Sequence, residues 1–149
     1  KMGGNYLNSI LATQDAKQRG FDEAILLDQS GNVSEAPGEN IFLVKNNKLV
    51  TPSLSSSALD GITRKSIITL AKDMKLEVKT RKVSKNELKL ADEIFLSGTA
   101  AEITPIIKID KRKIGGGKVG NMTKLFMDTY SDIVMNKNKT HSKWLTTVY

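Results

Sequence analysis

Four stretches combine residue types that a hydrophobic core alone does not require. SEAPGENIF at 34–42 sets two carboxylates, Glu35 and Glu39, four positions apart in a bend rich in Pro and Gly. Paired acids can divide acid and base roles, as in glycosidases; two solvated loop acids show the same spacing. LDGITR at 59–64 is a glycine turn followed by a helix start. Free backbone N–H groups and the helix dipole suit such a place to an anion, and the Thr63 hydroxyl adds a donor; an ordinary helix cap reads the same way. LSGTAAEITP at 96–105 ends an apolar run in the small residues Gly98, Thr99 and Ala100. Those let another group approach the backbone, as a tight strand-to-loop turn also would. Finally, KMGGNY sets Lys1 and Tyr6 around a glycine pair, ahead of a helical pattern.

Together these stretches supply two anion-holding loops, an acid in a bend and a lysine. A phosphate-bearing cofactor with a cationic ring nitrogen and an aldehyde uses all of them. Pyridoxal 5'-phosphate is such a cofactor: it needs a lysine amine, an acid facing the pyridine nitrogen, and donors around the phosphate. No metal is expected. The chain has no Cys, which removes thiolate sites and disulfides, and a single His, His141, which argues against a zinc site or a His-based triad.

The elements that must position these residues are readable from hydrophobic periodicity. Residues 5–19 read as a helix with Leu7, Ile10 and Leu11 on one face and Gly20 placed to end it. AILLD (24–28) leads into the turn QSGN. IFLVK (41–45) and KLVTP (48–52) flank Asn46-Asn47, a two-residue hairpin signal. Residues 53–61 form a polar loop, and 62–75 an amphipathic helix with Ile67, Leu70, Ala71 and Met74 in phase. LEVKTRKV (76–83) alternates as a strand, SKNE (84–87) is a capping box, and EIFLSG (93–98) is a buried strand. Residues 106–115 read as a second hairpin, and Asn121 as the cap of a helix over 122–135. Strands and helices are mixed without regular βαβ alternation, which predicts one α+β domain over 1–149.

Composition is that of an ordinary folded domain: 149 residues, 39% hydrophobic and 26% charged. The net charge of +7 raises the alternative of a basic nucleic-acid-binding module. Its lysines form no stripe interleaved with aromatics, and Phe, Trp and Tyr make up only 5%, so no nucleic acid is expected. No apolar run approaches the roughly 20 residues that span a bilayer, so no membrane partner is expected, and the lack of Cys fits the cytoplasm.

KMGGNYLNSILA, SEAPGENIF, TPSLSSSALDGITR, ADEIFLSGTAAEITPI and GKVGNMTK, in this order, resemble the branched-chain amino-acid aminotransferases, pyridoxal-phosphate enzymes of fold type IV. The resemblance implies the α+β, pseudo-barrel-like C-terminal large domain of that class, with a smaller N-terminal domain absent from 1–149. It implies transamination of leucine, isoleucine or valine with 2-oxoglutarate, in a homodimer or higher homo-oligomer. Other fold-type-IV enzymes, D-amino-acid aminotransferases and aminodeoxychorismate lyases, are the near alternative. Residue by residue, Lys1 matches the lysine that holds the cofactor and shuttles the proton. Tyr6 matches the partner of the cofactor's phenolic oxygen, and Glu35 the acid at the pyridine nitrogen. Ile62, Thr63 and Thr99 match phosphate contacts, and Thr99 and Ala100 the turn that receives the substrate carboxylate. Glu39 and Asn40 match positions one layer behind the cofactor. The family's phosphate-binding Arg and much of its side-chain pocket lie in the N-terminal domain. Two positions depart from the pattern: Asp60 and Asn121 stand where Pro is usual.

Overall fold

The structure is a computed structural model that describes residues 3–146. A single turn of 3₁₀ helix at Gly3–Tyr6 runs into α1, Leu7–Gln18. The hairpin follows as β1, Asn40–Lys45, and β2, Lys48–Pro52. Asn46 and Asn47 both adopt positive φ, 49° and 58°, the left-handed pair that a type I′ turn demands and that Asn tolerates.

After the 53–61 loop come α2, Ile62–Asp73, β3, Val78–Arg81, and α3, Lys85–Leu90. Ser84 and Glu87 form the expected capping box on α3. The chain continues through β4, Glu93–Gly98, β5, Glu102–Ile106, the small hairpin β6, Lys108–Ile109, with β7, Arg112–Lys113, and α4, Asn121–Val134.

Five strands form one mixed sheet in the order β3-β2-β1-β4-β5, with β2 and β3 parallel and the other pairs antiparallel. The α+β expectation is met. The central strands β1, β2 and β4 are buried on both faces, which is why β1 and β4 read as continuous apolar runs rather than alternating ones. One face carries Ile41, Leu43, Val50, Ile94 and Leu96 against Val33, Val83, Leu88 and Ile114. The other carries Phe42, Val44, Leu49 and Phe95 against Ile67, Leu70 and Ala71 of α2 and Phe126 and Ile133 of α4. Phe95 is the hub of that second core, 5.1 Å from the Phe42 ring and 5.6 Å from the Phe126 ring.

AILLD contributes an isolated bridge, Leu27 to Val33. Three features differ from the sequence reading. EITPI is a full strand, β5, paired to β4 from Ile94–Ile106 to Gly98–Glu102; a Pro at position 105 hid it, since edge strands tolerate Pro. Asn121 is the first helical residue of α4 and not its cap. The cap comes from across the fold: the Glu93 carboxylate accepts from the Met122 and Thr123 N–H groups at 3.1 and 2.7 Å and from the Thr123 hydroxyl at 2.7 Å. The apolar face of α1 is not a core face. Leu7, Ile10 and Leu11 are 65%, 51% and 64% exposed, and the helix buries only Ala16.

Candidate active site

The β1 start, the 53–61 loop and the β4 end meet at one edge of the sheet. Pairing of β1 with β4 sets Asn40 directly opposite Ser97, so the GEN bend and the SGT turn lie side by side. Their contact is close: a Cβ added at Gly98 would lie 3.0 Å from the Gly38 carbonyl oxygen and 3.1 Å from the Glu39 Cγ. A glycine is needed at 98 for that approach.

Asn40 links the bend to the loop. Its side-chain amide donates to Glu35 Oε2 at 3.0 Å and to the Leu59 carbonyl at 2.8 Å. The Leu59 N–H donates to the same Glu35 oxygen at 2.9 Å. The Asn40 amide oxygen lies against Gly61, where any side chain would run into it. Glu35 Oε2 is thus held by two donors, and Oε1 has no hydrogen-bond partner among the described residues. Partial burial pushes the Glu35 carboxyl above its ordinary value, while the Leu59 N–H and the Arg64 charge pull it back down.

Gly61 is the N-cap of α2 and, having no side chain, leaves the first turn without a side-chain cap. The N–H groups of that turn therefore remain open to an anion. Ile62 is 81% exposed beside them, while Thr63 is buried on the face that continues into Ile67. Asp60 is not a bare charge at this turn. It pairs with Lys65 at 2.7 Å and lies 3.9 Å from the Arg64 guanidinium.

Glu39 sits at the far end of the bend, with Oε2 accepting from the Gly38 N–H at 3.2 Å. Burial is the main cause that pushes its carboxyl up, and the like charge of Glu23 adds to it. Thr99 and Ala100 lie exposed in the β4–β5 turn, beyond Gly98. The structure therefore brings Glu35, Asn40, Leu59 and Gly61 into one bonded group, and Glu39 and Gly98 into contact beside it. Tyr6 is half-buried at the junction of the 3₁₀ turn and α1. Lys1 lies outside the described residues.

Two participants escaped the sequence reading. The Leu59 backbone carries no sequence signature. Arg64 does: it stands three before Ile67 and seven before Ala71, on the stripe that faces the core. An arginine at a core-facing position is expected to be bound to something, and here its side chain is only 5% exposed.

A group of pyridoxal-phosphate chemistry fits this donor set. The open N–H groups of α2 and the Thr63 hydroxyl suit a phosphate, and the half-committed Glu35 suits a ring N–H. Buried polar atoms without a hydrogen-bond partner among the described residues also occur in these same stretches: Ser56 Oγ, Arg64 Nε and Ser97 Oγ.

Known proteins resemble the chain over its whole length. Residues 2–109 match the amino-transferase class IV family. A probable branched-chain-amino-acid aminotransferase of Aquifex aeolicus is 49% identical over 150 residues, covering 100% of this chain and 48% of that protein. The crystal structure of a branched-chain aminotransferase from Thermoproteus uzoniensis with norvaline superposes with a TM-score of 0.95 at 46% identity, over 100% of this chain and 49% of that one. The branched-chain amino acid aminotransferase from Thermobaculum terrenum, in its PLP-bound holo-form, gives 0.94 at 41% identity, over 98% and 48%. The chain spans about half the length of these relatives.

Proposed function

The chain belongs to the class IV amino-transferases, and from that premise we propose that it is the cofactor-holding large domain of a branched-chain amino-acid transaminase. The whole protein would exchange the amino group of leucine, isoleucine or valine with 2-oxoglutarate, using pyridoxal 5'-phosphate. The observation that carries this reading is Glu35: one carboxylate oxygen fixed by Asn40 and Leu59, the other without a hydrogen-bond partner among the described residues, beside an uncapped helix start.

The cofactor, when bound, supplies an electron sink for the substrate's α carbon. The chain's own residues do the rest. Lys1 supplies the amine that holds the cofactor and moves the α proton. General acid–base transfer of this kind contributes typically ~10²–10⁴-fold in rate. Glu35 Oε1 accepts from the protonated ring nitrogen, an ion-paired hydrogen bond that keeps the proton in place. The α2 N–H groups and the hydroxyls of Thr63 and Thr99 receive the phosphate. Tyr6 meets the phenolic oxygen, and the N–H groups of Thr99 and Ala100 receive the substrate carboxylate. Asn40 and Glu39 hold the bend behind Glu35. The small N-terminal domain, a homodimeric or larger assembly and a cytoplasmic setting belong to the same reading. No helix among the described residues is long and apolar enough to cross a membrane.

The direct test is chemical. Borohydride reduction of the cofactor-loaded protein, followed by peptide mapping, is expected to place the label on Lys1. A label on any other lysine removes the assignment, and absence of transamination with all three branched-chain substrates removes the substrate class.

A further inference from the structure

Arg64 is a buried cation that none of the assigned roles uses. Its Nη2 donates to the Pro52 carbonyl at the end of β2, 3.1 Å away. Its Nη1 lies 3.9 Å from Asp60 Oδ1, and its Nε has no hydrogen-bond partner among the described residues. An arginine so placed stays charged, because a guanidinium does not give up its proton in proteins. Its charge must therefore be balanced by neighbours rather than lost.

The neighbours are few. Asp60 is shared with Lys65 and is half-exposed, so solvent and Lys65 already screen much of its charge. Arg81, whose backbone pairs beside Pro52, directs its guanidinium to Glu87 and the Lys82 carbonyl instead. Among the described residues, the other carboxylate that acts on Arg64 is Glu35. Its carboxylate is bonded to the Leu59 N–H, next in sequence to the Asp60 that Arg64 approaches, and to Asn40, whose amide oxygen lies against Gly61 at the start of the same helical turn.

We propose that Arg64 is the positioning cation of this site. Its guanidinium ties the first turn of α2 to the end of β2 and sets a positive charge behind Glu35, so that the acid faces the ring nitrogen as a carboxylate. The inference rests on the proposed role of Glu35 and extends it. A single side chain then serves both halves of the cofactor. It orients the turn that receives the phosphate and maintains the charge of the acid that receives the ring. It also accounts for the tolerance of Asp60 at this turn: Arg64 and Lys65 both oppose that charge.

The test reads Glu35 directly, in the cofactor-free protein, by carbon-13 NMR of labelled glutamate carboxyls assigned with Glu35→Gln. In Arg64→Met, Glu35 is expected to titrate at higher pH than in the unaltered protein. Arg64→Lys, which keeps the charge, is expected to restore most of the difference. Asp60→Asn removes a neighbouring negative charge and is expected to move Glu35 the opposite way, to lower pH. In the loaded protein, Arg64→Met is expected to raise the cofactor's dissociation constant roughly tenfold or more. General disruption of the fold would not produce opposite shifts from Arg64→Met and Asp60→Asn. The proposal is overturned if Glu35 titrates unchanged in folded Arg64→Met, or if Arg64→Lys shifts it as far as Arg64→Met. Should Arg64→Met fail to fold, Arg64→Gln takes its place: an unchanged Glu35 titration in that folded variant overturns the proposal. These titrations contain no cofactor, so their outcome is independent of the Lys1 labelling that tests the function itself.

Discussion

At the scale of single residues, the two acids of the GEN bend differ in what holds them. Glu35 is fixed by an amide side chain and a backbone N–H from the opposite loop, whereas Glu39 has only the N–H of its neighbour Gly38. Glu35→Gln is therefore expected to reduce turnover far more than Glu39→Gln, because only the former turns an ion pair at the ring into a neutral hydrogen bond. Steady-state transamination by the two variants checks this; equal losses contradict it. The same substitution has a stability consequence. The Glu35 carboxyl is raised in the folded state, chiefly by burial, so the folded state holds its proton more tightly than the unfolded chain does. Stability from this group is then greatest below the unfolded carboxyl's titration and falls as pH rises toward the raised folded value. Glu35→Gln abolishes that loss. Thermal melts of the cofactor-free protein should show the variant gaining on the unaltered protein between acidic and neutral pH; a constant difference across that range speaks against the assignment. The spacing of Glu35 and Glu39 was legible in the sequence, and so was the Gly-Thr helix start. The bond from Leu59 was not, because a backbone N–H has no residue identity to announce it.

At the scale of elements, local patterns predicted local structure well and missed what came from elsewhere in the chain. The Asn-Asn turn, the Ser84 capping box and the buried strand at 93–98 all depend on residues within a few positions, and all are present. The cap of α4 depends on Glu93, 29 and 30 positions before the N–H groups it receives. No window along the sequence pairs those residues, so Asn121 looked like the cap. The same carboxylate sits at the start of β4, and β4 ends at Gly98 beside the site. Glu93 thus joins α4 to the strand that delivers the SGT turn. Glu93→Ala leaves two helix N–H groups without their acceptor and is expected to cost about 2 kcal/mol. For a chain of this size that corresponds to a fall of roughly 4–8 °C in melting temperature. Glu93→Gln retains an acceptor and should recover part of the loss. Equal melting temperatures for Glu93→Ala and the unaltered protein would show that water replaces the cap at no cost.

At the scale of the whole molecule, the two cores on either face of one sheet argue that the 149-residue chain folds by itself. Phe42, Phe95 and Phe126 are fully buried on one face, and Ile41, Ile94 and Val83 on the other, which is a domain-sized core. Folding is not activity, however. Leu59 and Ile62, at the mouth of the α2 turn, are 61% and 81% exposed, and α1 presents Leu7, Ile10 and Leu11 to solvent. In the family resemblance, the phosphate-binding arginine and most of the side-chain pocket come from a second domain. A charged hydrogen bond to the phosphate is worth roughly 1.5–3 kcal/mol, or about ten- to a hundredfold in affinity. Imprecise aim of the Lys1 amine can cost a further ~100-fold in rate. The chain alone is therefore expected to fold cooperatively, to associate through its exposed apolar faces as concentration rises, and to transaminate leucine far more slowly than a protein of its relatives' length. Analytical ultracentrifugation of the chain, beside Leu7→Lys and Leu11→Lys variants, reads the association. Assay with leucine, 2-oxoglutarate and excess cofactor reads the rest. Turnover within tenfold of the longer enzyme would mean that the groups gathered around Glu35, Asn40 and the α2 start suffice by themselves, and that the second domain adds neither phosphate binding nor aim.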